Sequence, residues 1–436
     1  MSINIDKGAK SLINTLESAG FCAYITGKAI RDYLMDKPIS YVKIATSASP
    51  SQITEIFSNH LNINHTTKTV TVSENNNCYE ISTFNSPVVL SDRQPDLYDD
   101  LSATSFTIDA IAHSDKEGIL DFFGGISDLK KQIIRTTSAP DDVFSKNPSA
   151  MLYAVELCTT LGFALEENTE KSIRKHSALA KNISRSYQLE AFNKILMSKE
   201  PEKGFLLMHD LGLLKPLIPK LDYCFYVPQR NKYHIYNVGE HIMHALASTP
   251  SDIVLRWAAL LHDIGKPACK SIDNNGIIHF YGHHRESMAI ADEILNKLRL
   301  DRELIRNIVL LIEYHDVRID QTLPSIKRLM SKIGPSLFEK LIILQEADCR
   351  AKNPAYLPEK LEKTKKLNAL LATVIEENQP YKISDLAINS RDLVKLKYKA
   401  GREISDALKV MLEEVIQNTT LNNREYLLNR AKNLRK

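Results

Sequence analysis

No apolar run in the 436-residue sequence reaches the roughly 18 residues needed to span a bilayer. Its opening stretch, MSINIDKGAK, lacks the apolar segment of a secretory leader. Both absences predict a cytoplasmic protein with no membrane partner. The six cysteines, Cys22, Cys78, Cys158, Cys224, Cys269 and Cys349, form no CxxC pair and show no paired spacing, which argues against a disulfide framework and for reduced core thiols. A strong charge excess is also missing. The net charge of +3 is too mild to identify a nucleic-acid partner, because electrostatic affinity depends on where charge is concentrated. Internal repeats and low-complexity tracts are absent. What remains, 43% apolar and 25% charged residues, is a globular composition long enough for roughly two to four domains. Charge does gather locally: Lys171, Arg174, Lys175, Lys181 and Arg185 form one basic stretch, and 391–436 carries eleven Lys/Arg against six Asp/Glu. A solvated helix face explains either stretch as well as an anionic partner does.

The period of the apolar residues changes once along the chain. Residues 20–135 alternate as strands do, with hairpin signals at Asn75-Asn76-Asn77 within TVTVSENNNCYEISTF and at Lys116-Glu117-Gly118 within FTIDAIAHSDKEGILDFF. Helical stretches lie between them, predicting an α/β head. From about Ala139 onward the spacing is helical, as in LRWAALLHDIG, MAIADEILNKL and LIRNIVLLIEYH. The two prolines of NPAYLPEK suggest a further boundary before a helical tail containing one ordered loop, SDLAINSRDL. The expected fold class is α+β, with a head over 1–136, a helical neck over 137–200, a helical body over 201–352 and the tail over 353–436.

The body carries the densest chemistry. LLHDIGK, residues 260–266, places an imidazole and a carboxylate side by side at His262-Asp263, one suited to a single metal ion and the other able to bridge two. Gly265 is read as the residue that ends the preceding apolar helix, leaving the pair at a helix terminus. Eight of the thirteen histidines fall between His234 and His315. Taken singly, each reads as readily as a buried or capping histidine; the ordered series is harder to explain by chance.

The order His241, His262-Asp263, His283, His315, Asp348 resembles the HD superfamily of metal-dependent phosphohydrolases in its two-metal form. The surrounding words, YHIYNVGEHIMHAL, LRWAALLHDIGKP, HFYGHHRES and NPAYL, are similar to the HD-containing body of bacterial CCA-adding enzymes, the tRNA nucleotidyltransferases of the poly(A) polymerase-like class. TGKAIRDYL, IATSASP, FTIDAIA and LDFFGGISDLKKQIIR look like that family's nucleotidyltransferase head, and DLAINSRDL with GREISDALKVMLEEV like its tRNA-contacting tail. The resemblance therefore covers nearly the whole chain and implies RNA, specifically tRNA, as partner.

Against the family pattern the head departs throughout. Lys28 replaces the second glycine of the turn, and Tyr41 and Lys43 occupy the places of the metal-binding carboxylate pair, where a lysine repels the ion it should hold. Ala103, Thr104 and Ser105 replace a basic-basic-acidic triplet. Ala150, Tyr153 and Glu156 stand where arginines would meet the incoming nucleotide, and Tyr187 where another is expected. Asp32, Asp36 and Asp100 are the carboxylates left nearby. These changes predict a head without polymerase activity and shift the expected chemistry to the body. There the resemblance implies one ion on His241, His262, Asp263 and Asp348 and a second completed by His283 and His315, with Asp263 bridging. Asp263 and Lys266 are the expected catalytic residues, and Arg285 and Arg318, near ligands in sequence, are candidates to contact a substrate phosphate. Mixed imidazole and carboxylate donors suit two divalent Mn, Fe, Co or Ni ions better than Mg. Three functions follow as expectations: hydrolysis of nucleotide or RNA-end phosphates, non-catalytic tRNA binding, and residual nucleotidyl transfer.

Overall fold

The computed structural model describes residues 7–39, 41–58, 65–66, 69–74, 77–85, 94–229 and 234–435. Backbone packing divides the chain into two units, one of residues 1–187 with 210–217 and one of residues 188–209 with 218–436. The fold is α+β: strands dominate the beginning of the first unit and helices the rest.

The first unit is built on β1 (Ala23–Thr26), β2 (Lys43–Thr46), β3 (His65–Thr66), β4 (Thr69–Glu74), β5 (Asn77–Thr83), β6 (Ala112–Ser114) and β7 (Gly118–Leu120), in the sheet order β3-β4-β5-β2-β1-β6-β7. Within this sheet, among the described residues, only β2 and β5 run parallel, with Lys43 opposite Glu80. Ile25, Ile44, Val70, Val72 and Ile81 are fully buried, so alternate β-branched positions face the core, as a pleated strand requires. Gly27, at φ 73°, turns β1 into the helix Lys28–Leu34 and donates its N–H to Ile111 O at 3.1 Å.

β4 and β5 pair antiparallel up to Glu74 opposite Asn77, although Asn75 and Asn76 of the expected turn lie outside the described residues. The second expected hairpin is β6–β7, closed at Ser114 opposite Gly118. One expectation is corrected. FTID continues the alternation of a strand, yet Thr107–Asp109 is a single 3-10 turn. Buried polar side chains fix it: Thr107 donates its hydroxyl to Asp128 at 2.7 Å, and Asp109 accepts from Arg31 and Tyr153, each at 2.7 Å. A strand would send these groups to opposite faces, where they would lose partners that burial makes obligatory.

The second unit is helical. Helices Val238–Ala247, Ile253–Leu261, His283–Lys297, Arg302–Tyr314 and Pro335–Arg350 supply the residues of the candidate site. NPAYLPEK runs through a 3-10 turn, Pro354–Tyr356, into the helix Leu357–Glu376, which packs on Pro335–Arg350. The C-terminal helices Arg402–Gln417 and Arg424–Leu434 enclose a small core with Leu393, Met411, Val415 and Leu427 at its centre. SDLAINSRDL is ordered around Asn389, which caps the helix Ser390–Lys395, and Asp392, gripped by both Nη atoms of Arg424. Among the described residues, no helix is long and apolar enough to cross a membrane.

Candidate metal centre

Asp252 caps the helix Ile253–Leu261 by accepting from Leu255 N–H at 2.9 Å. From Val254 to Leu261 every residue of that helix is buried, and Trp257 Nε1 donates to Asn193 at 2.9 Å. The helix ends at Leu261 with His262 as its cap, which corrects the reading of Gly265 as the stop. Gly265 has φ −84° and serves a steric purpose instead: a Cβ there would lie 2.4 Å from Ser287 N and 2.8 Å from His283 O. Its absence lets the helix His283–Lys297 press against the His262-Asp263 turn.

Four further helix positions face that turn. His241 lies on the buried side of Val238–Ala247, a helix started by the reciprocal Asn237–Glu240 capping box. His283 opens its helix directly after Gly282, whose φ of 75° suits glycine. His315 caps the end of Arg302–Tyr314, and Asp348 sits in the last turn of Pro335–Arg350.

These residues converge as two ligand sets sharing Asp263. Donor atoms of His241, His262, Asp263 and Asp348 all lie within 4.8 Å of one another, as do those of Asp263, His283 and His315. Asp263 Oδ2 is 3.1 Å from His241 Nε2 and 3.2 Å from His262 Nε2, while Oδ1 is 3.2 Å from His283 Nε2 and 3.7 Å from His315 Nε2. One carboxylate thus turns one oxygen to each set. Every ring is fixed from behind: Nδ1 of His241, His262, His283 and His315 faces the carbonyl of Ala351, Ala259, Phe280 and Ile312 at 3.0, 2.7, 2.9 and 2.7 Å. With Nδ1 engaged by a carbonyl, each ring turns its Nε2 inward, the atom it would offer to an ion.

Nε2 of His241 and His262 approach to 3.4 Å, and those of His283 and His315 to 3.3 Å. Two lone pairs so close repel unless a cation lies between them. Ligands about 2.1 Å from a shared ion, subtending about 90–110°, stand about 3.0–3.4 Å apart, so these spacings fit a divalent metal in each set. Beyond its ion pair with Lys266, neither oxygen of the buried Asp263 accepts a well-aligned hydrogen bond, which suits a carboxylate able to bind an ion.

Burial alone would raise Asp263, but His262 and Lys266 hold it well below the usual carboxylate range, and Lys352 and His241 do the same for Asp348. Burial disfavours the charged form of His262, yet Asp263 and Asp348 push it up to about 9. Burial lowers His315.

Lys266, buried, places Nζ 2.7 Å from Asp263 Oδ2 and 2.7 Å from Gln229 Oε1, so it braces the shared carboxylate. Arg285 is exposed at the start of its helix. Arg318 is exposed on the wall of a cavity that also touches His315 and Asp348. Of the spare histidines, His244 stacks on Tyr236, His279 pairs with Asp273 at 3.0 Å, and His284 lines the metal-side cavity without joining either ligand set. Lys352, which the sequence argument missed, reaches Asp348 Oδ2 at 2.5 Å. Its place four residues after a ligand on the same helical register was the available signal.

In the head, most of the positions expected to depart from the family pattern make internal contacts or are buried. Tyr41 donates to Glu80, and Lys43 counteracts the burial that raises Asp100. Arg31 and Tyr153 both bond Asp109, and Arg31 also pairs with Asp32 at 3.3 Å. Lys28 and Asp36 are exposed, Ser105 accepts from Thr137 N–H, and Ala150 and Glu156 are buried. Among the described residues, no group of three histidine, cysteine or carboxylate ligands converges in the head. The basic stretch of the neck is largely neutralised, Lys171, Arg174 and Lys175 pairing with Glu167, Glu170 and Asp141.

Three known families match in succession: the poly A polymerase head domain over residues 23–135, the probable RNA and SrmB-binding site of polymerase A over 162–225, and the HD domain over 232–353. A CCA-adding enzyme of Latilactobacillus sakei is 35% identical over 215 residues, 48% of this chain and 54% of that protein. The chain thus spans about half the length of the first curated relatives it matches. A CCA-adding enzyme of Bacillus velezensis is 26% identical over 96% of this chain and 95% of its own. Among solved structures, the Bacillus stearothermophilus CCA-adding enzyme in complex with CTP superposes with a TM-score of 0.72 at 22% identity, covering 98% of both chains. The Thermotoga maritima CCA-adding enzyme complexed with tRNA reaches 0.60 at 19% identity, covering 98% of this chain and 94% of its own. At these identities the structural likenesses speak to the fold.

Proposed function

Since the chain belongs to the family of CCA-adding enzymes and poly(A) polymerases that carry an HD domain, we propose that its body is a metal-dependent phosphohydrolase acting on nucleotide or RNA-end phosphates, with tRNA as the RNA partner of the frame around it. The observation that carries this is the shared carboxylate: Asp263 offers one oxygen to the His241, His262 and Asp348 set and the other to the His283 and His315 set. A purely structural metal site needs about four closed ligands, and two linked sets exceed that.

His241, His262, Asp263 and Asp348 would hold one divalent ion, and His283 and His315 would complete a second with Asp263. Four imidazoles suit Mn, Fe, Co or Ni better than Mg. Such ions, when bound, supply a hydroxide at neutral pH and offset the charge that builds on an attacked phosphoryl group. The chain's own residues do the rest. The backbone carbonyls behind each Nδ1 keep the imidazoles aimed. Lys266 and Gln229 hold Asp263 in place, and Lys266, which also lines the metal-side cavity, offers an ammonium to a phosphate oxygen there.

A second reading, nucleotidyl transfer to tRNA by the head, is favoured by the names of the relatives, one of which aligns along 96% of the chain. Lys43 and the Arg31–Asp109–Tyr153 cluster weigh against it, since the cations there already have carboxylate neighbours. One experiment separates the two. Purified protein is analysed for metal, assayed for hydrolysis of bis-p-nitrophenyl phosphate and 2′,3′-cyclic nucleotides, and assayed for CTP and ATP incorporation into tRNA lacking CCA, in wild type and Asp263→Ala. Metal and hydrolysis lost together in the variant support the hydrolase. Incorporation that survives in the variant, without hydrolysis in either protein, overturns it in favour of the head.

A further inference from the structure

Three cavities join at Lys352, two of them lined by candidate metal ligands and one beside them, and they differ in charge. The cavity that opens directly on Asp263, His283 and His315 has a volume of about 280 Å³. That is below the roughly 300–1,000 Å³ of sites that enclose whole small ligands, so a substrate seated there continues into a neighbouring space. A second cavity, of about 400 Å³, shares His234 and Lys352 with the first and is walled by Tyr356, Lys360 and Lys363. A third, of about 460 Å³, shares His315, Asp348 and Lys352 with the first. Lys352 stands where all three join.

The third cavity is mixed: Arg318, Lys352, Lys360 and Lys363 line it together with Asp316, Asp320 and Asp348, so Lys360 and Lys363 border both it and the second cavity. The second has three lysines against a single carboxylate, Glu359. Lys352 is committed to Asp348, and Lys363 reaches Glu359 at 2.8 Å in an exposed i,i+4 pair, which is weak and easily exchanged for a stronger anion. Lys360 is exposed and makes no ion pair among the described residues. Lys360 and Lys363 stand one turn apart on the helix Leu357–Glu376. Tyr356 is set at the head of that helix by the turn that Asn353 caps, giving the cavity a flat aromatic wall beside its cations. Cations beside an aromatic face are what a nucleotide unit requires: ammonium groups for its phosphate, a ring for its base.

Resting on the hydrolase reading, we propose that the cavity walled by Tyr356, Lys360 and Lys363 is a subsite for the nucleotide next to the scissile phosphate, so that the preferred substrate is the phosphorylated end of a single-stranded oligonucleotide rather than a mononucleotide or small phosphoester.

The test compares kcat/KM of the full-length, metal-loaded protein on a short oligoribonucleotide ending in a 2′,3′-cyclic phosphate, on the matching cyclic mononucleotide and on bis-p-nitrophenyl phosphate. Wild type is set beside Lys360→Gln/Lys363→Gln and Tyr356→Leu, with metal content measured throughout. The oligonucleotide is expected to be preferred over the mononucleotide by at least about tenfold, and the oligonucleotide-to-bis-p-nitrophenyl-phosphate ratio to fall about tenfold or more in the double variant. The slope of log kcat/KM against log salt for the oligonucleotide should shrink by about 1.4, the loss of two phosphate contacts to a single strand. Equal use of oligonucleotide and mononucleotide, or a ratio and slope unmoved by the double variant, overturns the subsite while hydrolysis itself stands. A wild-type protein that hydrolyses none of the three removes the hydrolase reading and the subsite with it.

Discussion

Gly265→Ala is expected to empty half of the metal centre while leaving every ligand in the sequence. The new Cβ would lie 2.4 Å from Ser287 N, whereas ordinary contact begins at 3.4 Å, so something must yield by about 1 Å. The obstructing atoms are backbone at the start of the helix His283–Lys297, which cannot rotate aside as a side chain would. The helix must therefore retreat and take His283 with it. His283 Nε2 is now 3.2 Å from Asp263 Oδ1 and 3.3 Å from His315 Nε2. Withdrawn by about 1 Å, it would stand about 3 Å from an ion that needs it at about 2.1 Å, and the second set would be left with two donors. Overpacking of this kind costs about 1–3 kcal/mol, and at about 2–4 °C per kcal/mol for a unit of this size the melting temperature should drop by about 2–12 °C. Elemental analysis after gel filtration reads the first effect and calorimetry the second. About two metals per chain in the wild type should become about one, and the thermal loss should persist in chelator because its origin is steric. A variant that retains two metals and melts with the wild type would refute the reasoning.

Three further outcomes are expected. Asp109→Asn leaves the buried Arg31 with only its longer pair to Asp32 and should cost about 1.5–3 kcal/mol in denaturant unfolding, while Tyr153→Phe, which leaves the Arg31–Asp109 pair intact, should cost about 1 kcal/mol; equal costs would mean the Arg31–Asp109 pair is not the core of that network. Burial would raise Asp252, but Lys340 and the Leu255 N–H hold it below its ordinary value, so its folded pKa is depressed: the stability it contributes is complete above about pH 4 and fades as pH falls through the folded value. Asp252→Ala should therefore remove about 1 kcal/mol at neutral pH and flatten the acid limb of the stability profile, with Asp252→Asn keeping most of the cap but none of the acid dependence. Metal-loaded protein should release its ions as the pH is lowered past about 6, where protons compete for the imidazoles, and dialysis followed by elemental analysis would expose a site that holds metal to pH 4 as something other than a histidine centre.

The convergent histidines and aspartates could be picked out as candidate ligands from the sequence because each is a chemically distinctive side chain in a distinctive order. Their partners were not legible in the same way. Ala351 O, which fixes His241, lies 110 residues away and is a backbone atom that any residue would supply. The role of Gly265 was misjudged because a glycine after an apolar helix suggests a stop, whereas close approach of a second helix is visible only once both are placed. FTID was misjudged for a related reason: alternation of apolar residues describes the backbone preference, but Thr107 and Asp109 answer to Asp128, Arg31 and Tyr153, on three other segments. In the head the sequence singled out Tyr41, Lys43 and Tyr153 as expected departures from the family pattern, yet not that Tyr153 and Arg31 would bond the same carboxylate. Lys352, Lys360 and Lys363 carried no motif, and only their shared cavity gives them meaning.

The way the four imidazoles are anchored bears on the order in which the protein can acquire its ions during synthesis. His262, His283 and His315 each lean on a carbonyl three residues earlier, so each is oriented within its own short peptide as soon as that peptide coils. His241 alone waits for Ala351, and the same late stretch delivers Asp348. A ribosome-bound chain therefore exposes three aimed but unfinished ligands for the time it takes to make the remaining residues to Ala351. Only after that stretch emerges and docks can the His241 set close, so an ion held by that set would be captured only once the body is complete.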